Sequence, residues 1–563
     1  MKKILSLLLL IGSFTYAQNN FPKNYFSNPL DIKMILSGSF GELRSNHFHS
    51  GLDIKTQQRE GMPVYAPADG YVSRIKVSHY GYGKALYILH PNGYTTVYGH
   101  LRSYAGEIEK HVKETQYAKE SFEIELFPDK NLLAVKKGDL IAYTGNTGGS
   151  GGPHLHYEIR DASQRPINPL HFGIDIPDSK APLLMGVFAY TVDEDGHVNQ
   201  SQNRTKLRLI KQKDGTYKTE GIKAYGKIGF GVTTYDQFDG ASNKNGSYRI
   251  QTNFNGSEKF EVTFDKFSLS ETRYLNRYID YKYFETNKSR IQKLFREKNN
   301  PLSVITYEDD NGYVTVKDSL HSIYTISIND LKGNTTFVTI PIEGAKMDIL
   351  DPKNNKVTDD YINADHATSI TKGKFSIYIP ANSLYEDAYL DIRADGDTLI
   401  FHEDIVPIHT NITLSADISS YREEDKDKLY LGRLNTKGEP YYTSTSRNGD
   451  KLVAKTRTFG KYIIASDTIP PEIEPVNFSE DKWISNENFL KIKIKDDLSG
   501  ISSYRATING KFILTEYDYK TDVLVYNFND NVNLETENNL KLIVIDNVGN
   551  SATFEAKFFR KHP

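Results

Sequence analysis

The chain has 563 residues, of which 38% are hydrophobic and 25% are charged, with a formal net charge of −3 at pH 7. This length exceeds a single hydrophobic core, so we expect about three to five domains. The near-neutral charge lacks the basic excess of a nucleic-acid-binding protein, which argues against a nucleic-acid partner, and the absence of cysteine excludes disulfides and thiol-linked lipids.

The start of the chain predicts an export signal. Residues 1–3 include two lysines, residues 4–14 are mostly apolar, and the segment ends on Ala17 before Gln18. This order is typical of a secretory signal peptide over residues 1–17, so we expect a protein of the periplasm, the cell envelope or the surrounding medium. No later stretch approaches the ~20 apolar residues of a spanning helix, so we expect no transmembrane segment in the mature chain.

The first motif with clear chemistry is His49-Ser50-Gly51-Leu52-Asp53. In an extended segment, an offset of four residues puts the imidazole of His49 and the carboxylate of Asp53 on the same face. His47 forms a His-x-His pair with His49 and therefore competes with it as a metal ligand.

Alternating apolar and polar residues then predict short strands separated by turns, at residues 72–77, 85–89, 95–98, 140–144 and 155–159. This pattern is typical of an antiparallel β architecture. The third of these strands leads to His100. His90 precedes Pro91-Asn92-Gly93, so we expect it to be a solvent-exposed histidine at a hairpin turn.

An insertion at residues 102–134 interrupts the series of strands. Residues 107–119 predict a helix, and Phe122, Ile124 and Leu126 then alternate with polar residues as in a strand. Two interpretations remain open. The insertion is either a structured surface element or one wall of a substrate groove, because it directly follows His100.

A glycine-rich run leads into the last of these strands. No Lys-Ser/Thr follows the glycines, which excludes a phosphate-binding loop. The alternation puts His154, His156 and Glu158 on one face. Two imidazoles and the carboxylate of Asp53 would hold a zinc ion tetrahedrally and leave a position for water. Glu158 either orients an imidazole or pairs with Arg160.

Together these motifs resemble the lysostaphin-type zinc endopeptidases, which cut peptide cross-links in bacterial cell walls. The resemblance rests on His49-x-x-x-Asp53, on Tyr98-Gly99-His100-Leu101 and on Gly152-Pro153-His154-Leu155-His156-Tyr157, with support from residues 61–70, 137–139 and 145–148. It covers about residues 37–172, which is under a third of the chain.

The resemblance implies a role for each site residue. His49, Asp53 and His156 would be the ligands of one zinc ion, and His100 and His154 would be catalytic histidines that do not bind it. One of these two would act as general base toward water and the other would stabilise the oxyanion, and the sequence leaves that assignment open. Only His49 has the aspartate at the family's spacing, so His47 is not expected to be a ligand.

Two motifs recur in the second part of the chain. Asp236-Gln237-Phe238-Asp239-Gly240 returns as Asp496-Asp497-Leu498-Ser499-Gly500, and Asp330-Leu331-Lys332-Gly333-Asn334 returns as Asp546-Asn547-Val548-Gly549-Asn550. The two copies resemble bacterial immunoglobulin-like sandwiches. Aspartates in such turns are more often turn formers than calcium ligands, so we predict no calcium site.

The predicted fold class is therefore mainly β, with an antiparallel lysostaphin-like catalytic domain followed by β-sandwich modules. The expected division is a zinc endopeptidase domain at 18–178, an immunoglobulin-like module at 179–345, a β-rich module at 346–467 and a C-terminal immunoglobulin-like module at 468–563. A helical insertion at 269–298 either packs on its own sheet or binds a partner. It is also the best candidate for a cover over the catalytic groove.

The expected function is zinc-dependent cleavage of peptidoglycan peptides. Direct peptide cross-links are favoured because no wall-targeting domain of the glycine-bridge type is recognisable. The β modules are expected to position or restrict the enzyme, with a protein partner as one possibility, so a chain ending near Asp178 should keep zinc and cleave soluble wall peptides.

Three other classes of protein share some of these features. A catalytically silent wall-binding regulator of another hydrolase is the main alternative, but it would lack a ligand and none is missing. Non-haem iron(II) oxygenases use the same ligand types, yet nothing else in the chain resembles one. A purely adhesive β protein would leave the first 180 or so residues unexplained.

Overall fold

The computed structural model describes residues 21–354, 356–530 and 535–561. The described chain is built almost entirely from antiparallel β sheets with a few short helices, which confirms the predicted fold class. The predicted signal peptide, residues 1–17, lies outside the described residues. Across the ranges just given, no helix combines the length and the apolar character that a membrane crossing requires.

The first part of the described chain folds around one eleven-stranded sheet. Its strands and helix are β1 (Leu36–Gly38), β2 (Leu52–Lys55), β3 (Pro63–Tyr65), β4 (Gly70–Val77), β5 (Lys84–Leu89), β6 (Thr95–Tyr104), α1 (Gly106–Lys119), β7 (Ile124–Leu126), β8 (Ala134–Val135), β9 (Leu140–Thr144), β10 (His154–Arg160) and β11 (Pro166–Ile167). The five strands predicted from alternation are confirmed as β4, β5, β6, β9 and β10.

The register of β10 brings distant side chains together. β10 lies between β2 and β6 and runs antiparallel to both, with His156 opposite Asp53 on one side and opposite Gly99 on the other. His100 follows Gly99 directly. The sheet therefore gathers residues from three separate motifs at one place.

The predicted insertion contains the expected helix and strand, α1 and β7. β7 extends the sheet beyond β4, and α1 packs against β6 and β9. The outer side of α1 contacts the end of the chain, where Lys113 Nζ lies 2.9 Å from Asp530 Oδ2 and Arg505 binds Glu120. Within the described residues, the insertion is thus a docking surface for the last module.

The prediction for His90 is wrong, because this side chain is only 3% exposed. Its Nδ1 bonds to the carbonyl oxygen of Asp69 and its Nε2 to the hydroxyl of Thr96, each at 2.8 Å. The ring of Phe26 also packs edge-on against it at 5.1 Å. The N-terminal segment, in which the sequence shows no pattern, therefore covers this turn and removes the histidine from water.

A second sheet follows, with thirteen strands in the described residues. Its elements are β12 (Leu183–Thr191), β13 (His197–Val198), β14 (Thr205–Leu207), β15 (Leu209–Lys211), β16 (Tyr217–Thr219), β17 (Ile222–Tyr235), β18 (Arg249–Phe254), β19 (Ser257–Thr263), α2 (Leu275–Tyr278), α3 (Tyr281–Asn287), β20 (Gln292–Lys293), β21 (Ile305–Glu308), β22 (Val314–Val316), β23 (His321–Asn329) and β24 (Thr335–Gly344). One continuous apolar core runs through this sheet and the first one.

The helical insertion lies where the two sheets meet. Phe48 is 1% exposed, and its ring lies 5.5 Å from Phe267 and 6.5 Å from Tyr278, which is itself fully buried. The backbone N–H of Phe48 donates to the hydroxyl of Thr272 at 2.7 Å. The apolar stripe of α2 is therefore part of this shared core, as in the first of its two interpretations.

Two further cores complete the described chain. The middle region contains β25 (Asp360–Ile362), β26 (Thr368–Lys372), β27 (Phe375–Ile379), β28 (Ala388–Leu390), β29 (Ile392–Asp395), β30 (Thr398–Phe401), β31 (Ile412–Asp417), α4 (Glu423–Lys426), β32 (Leu429–Leu434), β33 (Pro440–Tyr442), β34 (Thr445–Asn448), β35 (Lys451–Thr456) and β36 (Gly460–Ser466). The last contains β37 (Glu472–Pro475), β38 (Lys482–Trp483), β39 (Phe489–Lys495), β40 (Ile501–Ile508), β41 (Lys511–Ile513), β42 (Thr515–Asp518), β43 (Val523–Asn527), β44 (Glu537–Asp546) and β45 (Ser551–Phe559).

The internal repeat is visible in the strand pairing. β18 pairs with β23 and β23 with β24, and in the last region β40 pairs with β44 and β44 with β45. The repeated aspartates close equivalent turns, since Asp330 accepts the N–H of Asn334 and Asp546 accepts the N–H of Asn550. The immunoglobulin-like character of these modules and their boundaries stay predictions.

Replacing Phe48 by alanine should destabilise the protein, because it leaves a cavity where the first two sheets share their core. We expect Phe48→Ala to lower the free energy of unfolding by about 3–5 kcal/mol in chemical denaturation. Phe127 is 71% exposed, so Phe127→Ala serves as the matched control and should change it by less than about 0.5 kcal/mol. Equal effects of the two substitutions would contradict the shared core.

Candidate metal centre

Three side chains meet beside the paired strands β2 and β10. His49 Nε2 and His156 Nδ1 each lie 3.0 Å from Asp53 Oδ1, and the two nitrogens lie 3.1 Å from each other. All three residues are buried, with exposures of 5% for His49, 7% for Asp53 and 2% for His156. The structure thus brings together the three predicted ligands, while His47 is exposed and outside this group.

The spacing of these atoms suits zinc. Ligand atoms at 2.0–2.2 Å from a tetrahedral ion lie about 3.3–3.6 Å from one another, a few tenths of an ångström more than the 3.0–3.1 Å separations in this cluster. Two imidazole nitrogens and one carboxylate oxygen are also the donor types that zinc prefers in a site with an open position. The residues present therefore fit the ion that the motifs imply.

Hydrogen-bond partners hold the first two candidate ligands in place. His49 Nδ1 donates to the carbonyl oxygen of Ser39 at 2.8 Å, which leaves the lone pair of Nε2 directed at the cluster. Arg44 donates to Asp53 Oδ2 at 2.8 Å. Burial would raise the pKa of Asp53, but the neighbouring imidazoles, with His49 foremost, hold this pKa well below its usual value. Asp53 is therefore a carboxylate.

Glu158 orients the third candidate ligand and also pairs with Arg160, so both interpretations of this residue hold. Its Oε1 accepts the N–H of His156 Nε2 at 2.7 Å, and its Oε2 accepts from Arg160 Nε at 2.6 Å. Ser50 and Tyr82 also donate to Oε1, at 2.7 and 2.5 Å. In the neutral ring, the proton that Glu158 holds on Nε2 leaves Nδ1 of His156 a lone pair for a metal.

The two other predicted histidines stand beside this cluster with their rings 4.8 Å apart. His100 Nδ1 donates to the carbonyl oxygen of Thr147, and His154 Nδ1 to that of Gly152, each at 2.8 Å. In the neutral rings the Nε2 atoms are therefore unprotonated. Burial, with the nearby His156 and His154, lowers the pKa of His100 to about 3, so its ring is neutral near pH 7.

Backbone geometry aims His100 at the cluster. Its φ is +59°, a left-handed conformation that costs a non-glycine residue about 1 kcal/mol or more. The pairing of β5 with β6 shifts register beside it, as at a β-bulge. Strain of this kind at a buried imidazole is typical of a functional site.

A cavity of about 610 Å³ opens beside His154. The N-terminal segment lines it with Ile32 and Ile35, and the end of β2 adds Lys55. Asn243, from the second sheet's part of the chain, lines the same cavity. None of the described residues of the helical insertion lines it, so the insertion does not form the expected cover there.

Several members of this site were missed from the sequence. Arg44, Ser50 and Tyr82 bond to the charged groups of the cluster or of Glu158. Ser50 lies inside the His-x-x-x-Asp motif, and its position next to His49 is the one sequence signal that could have indicated its role. Arg44 and Tyr82 lie on loops with no pattern that indicates a role.

Comparison with known proteins assigns part of this chain to a family. The sequence model of peptidase family M23 matches residues 47–118 and 130–169, and that of the Zu5-like domain matches residues 359–467. All five predicted site residues lie within the first match, and the gap between its two parts falls inside the insertion. The chain therefore contains a peptidase family M23 domain.

Two curated relatives match about a quarter of this chain. The DD-carboxypeptidase/endopeptidase Mpg of Neisseria meningitidis serogroup B is 34% identical over 136 residues, which are 24% of this chain and 25% of that protein. The peptidoglycan DD-endopeptidase ShyA of Vibrio cholerae is 31% identical over 166 residues, which are 28% of this chain and 32% of that protein. The chain thus spans about a quarter to a third of the length of these relatives.

Two solved structures align with a comparable share of this chain. A zinc-containing peptidase from Vibrio cholerae is 27% identical and covers 28% of this chain and 41% of its own, with a TM-score of 0.20. The catalytic domain of lysostaphin from Staphylococcus simulans is 23% identical and covers 28% of this chain and 95% of its own, with a TM-score of 0.18.

Removing one candidate ligand should remove the metal. We expect the purified protein to hold about one zinc ion per chain, and His156→Ala to lose it, because two remaining ligands bind zinc poorly. His47→Ala is the control, since this exposed imidazole lies outside the cluster, and it should keep wild-type occupancy. Full zinc content in His156→Ala, measured by elemental analysis, would exclude this ligand set.

Neutralising the residue behind His156 should weaken metal binding without abolishing it. Glu158→Gln lacks the charge that polarises His156, so we expect zinc affinity to fall about 10- to 100-fold in a competition titration with a chelator. Glu125→Gln removes a half-exposed carboxylate that pairs with Arg74 and should leave the affinity unchanged. Wild-type affinity in Glu158→Gln would show that its bond to His156 does not tune the site.

Proposed function

Because residues 47–169 contain a peptidase family M23 domain, we propose that this protein is a zinc-dependent endopeptidase that cleaves peptide cross-links of bacterial peptidoglycan. One observation carries the proposal. Three donor atoms converge at 3.0–3.1 Å, and the imidazoles of His100 and His154, whose Nδ1 atoms donate to backbone carbonyls, stand beside them. A metal site with adjacent bases provides the chemical groups that hydrolysis of a peptide bond requires.

His49, Asp53 and His156 would hold the zinc ion. When bound, zinc supplies Lewis-acid polarisation of the scissile carbonyl and makes water a usable nucleophile near neutral pH. With Nδ1 bonded to a backbone carbonyl, either His100 or His154 can take the proton of the attacking water on Nε2. The other ring would stabilise the negative charge on the former carbonyl oxygen, a role that requires a proton on its own Nε2.

The substrate class follows from the relatives and the site together. ShyA of Vibrio cholerae is named a peptidoglycan DD-endopeptidase, which supports a bond in a direct peptide cross-link. The cavity of about 610 Å³ beside His154 is where we propose that the peptide binds. We further propose that the protein acts after export, in the periplasm or elsewhere in the cell envelope, and that its C-terminal modules are available to a protein partner.

A catalytically silent regulator is the weaker candidate. Such a protein needs no intact metal cluster, whereas His49, Asp53 and His156 are all present and oriented by hydrogen-bond partners. The strained conformation of His100 is also unnecessary in a protein without catalysis.

The two catalytic histidines should separate activity from metal binding. We expect His100→Ala and His154→Ala to keep about one zinc ion per chain. Each should lower turnover on cross-linked wall peptides by ~10²- to 10⁴-fold, the usual effect of removing a positioned acid or base. Turnover is measured by mass analysis of the products from purified wall fragments.

The outcome distinguishes this proposal from its alternatives. Release of un-cross-linked peptides by the wild type, and not by either variant, supports the endopeptidase. Loss of zinc from His154→Ala with retention in His156→Ala would mean that ligand and base are exchanged. A wild-type protein that binds zinc and wall fragments but releases no product would favour the silent regulator.

A further inference from the structure

The glycine-rich loop at residues 145–152 orients both catalytic histidines. Its Thr147 carbonyl accepts the N–H of His100, and its Gly152 carbonyl accepts the N–H of His154. These two bonds fix the tautomer and the direction of each ring. The position of the loop therefore decides where the two Nε2 atoms lie.

This loop is intrinsically flexible, because five of its eight residues are glycine. Glycine loses more conformational freedom on ordering than any other residue, so a loop of this composition needs external contacts to hold one conformation. Within the M23 domain, the N–H of Gly149 donates to the carbonyl of Gly81 at 2.8 Å. Gly148 packs against Gly83 so closely that a Cβ on either would meet backbone atoms at 2.5 Å or less.

The last module supplies three further contacts, on alternate carbonyls of the same loop. The hydroxyl of Tyr519 donates to the carbonyl of Gly148 at 3.3 Å. The ammonium group of Lys520 donates to the carbonyl of Asn146 and, at 3.3 Å, to that of Ser150. Tyr519 and Lys520 follow β42 directly and reach the loop across more than 360 residues of chain.

The turn that carries Tyr519 and Lys520 is held against the M23 domain at its base. Glu516, on β42, accepts from Lys84 Nζ at 2.8 Å through both carboxylate oxygens, and the Lys84 side chain is only 9% exposed. Burial would raise the pKa of Glu516, but Lys84 and Lys113 lower it below its usual value, so the pair is ionised. Beside the turn, the ring of Tyr519 packs on Tyr80 at 4.7 Å between centroids.

The contact leaves the cavity beside His154 open. Among the described residues that line this cavity, none comes from the last module. The module therefore contacts carbonyls that the histidines do not use, and it does not line this cavity. Such contacts stabilise the loop and leave this cavity accessible.

We propose that Tyr519 and Lys520 are positioning residues, through which the last module holds the 145–152 loop in the conformation that directs His100 and His154. The proposal rests on the proposed function. In this proposal the C-terminal module contributes to catalysis by the M23 domain, because it supports the loop permanently. A displacement of about 1 Å in a catalytic group lowers turnover by up to ~100-fold, so a small change in this loop is sufficient.

Substitutions in the full-length protein test the proposal. Lys520→Met keeps the aliphatic stem and removes the charge, and we expect kcat to fall about 10- to 100-fold with little change in KM. Tyr519→Phe keeps the ring on Tyr80 and removes the donor, so a smaller loss of kcat is expected. Lys520→Arg retains donors for both carbonyls and should recover most of the activity.

Controls separate positioning from folding and from metal loss. Zinc content and the thermal unfolding midpoint should stay at wild-type values in all three variants. Lys511→Met is the matched control, because Lys511 is an exposed lysine of the same module whose side chain makes no hydrogen bond within the described residues. It should leave kcat unchanged.

Hydrogen exchange gives a readout that does not depend on activity. In Lys520→Met the backbone N–H groups of Gly149 and His154 should exchange faster than in the wild type, because the loop opens more often. Wild-type exchange together with wild-type kcat in Lys520→Met would overturn the proposal, and a rise in kcat would replace it by inhibition. If the wild type has no peptidase activity, the proposed function fails. The exchange result alone then tests whether Lys520 holds the loop.

Discussion

The site depends on the register of β10 between its two antiparallel neighbours. His156 stands opposite Asp53 on β2 and opposite Gly99 on β6, and a shift of one residue would turn its imidazole to the other face of the sheet. The register is tightly specified by packing. A Cβ on Gly99 would lie 3.3 Å from the Cβ of His156, so a side chain at position 99 would crowd the imidazole-bearing residue opposite it.

This register also places Glu158 beneath the three candidate metal ligands, where it is fully buried. An isolated carboxylate in that position would be strongly destabilising. Four donors surround it: Arg160, Tyr82, Ser50 and His156. The network offsets the free-energy cost of burying the charge, and at the same time it fixes the tautomer of His156. Stability and ligand orientation therefore depend on the same buried group.

The sequence predicts the local parts of this design well. The strands and the helix of the insertion follow from periodicity, which is a local signal, whereas the ligand set of His49, Asp53 and His156 is what the family resemblance implies. His90 shows the limit, because the Phe26 segment that buries it has no pattern. Arg44 and Tyr82 are further cases, since loops without periodicity bring them to Asp53 and Glu158. No local signal connects Lys520 to a loop about 370 residues earlier in the chain.

The modules are attached to the M23 domain in two physically different ways. The second sheet shares an apolar core with the first one around Phe48, so a chain ending near Asp178 would expose that surface to water; this weighs against the expectation that such a chain folds and acts alone. The last module instead docks through partly buried ion pairs, Lys84 with Glu516 and Lys113 with Asp530, and through the ring of Tyr519 on Tyr80. An interface of charged pairs is weakened when one partner is neutralised, whereas a shared apolar core is not. Of the two attachments, the ion-paired one also carries the contacts to the loop that bonds to His100 and His154.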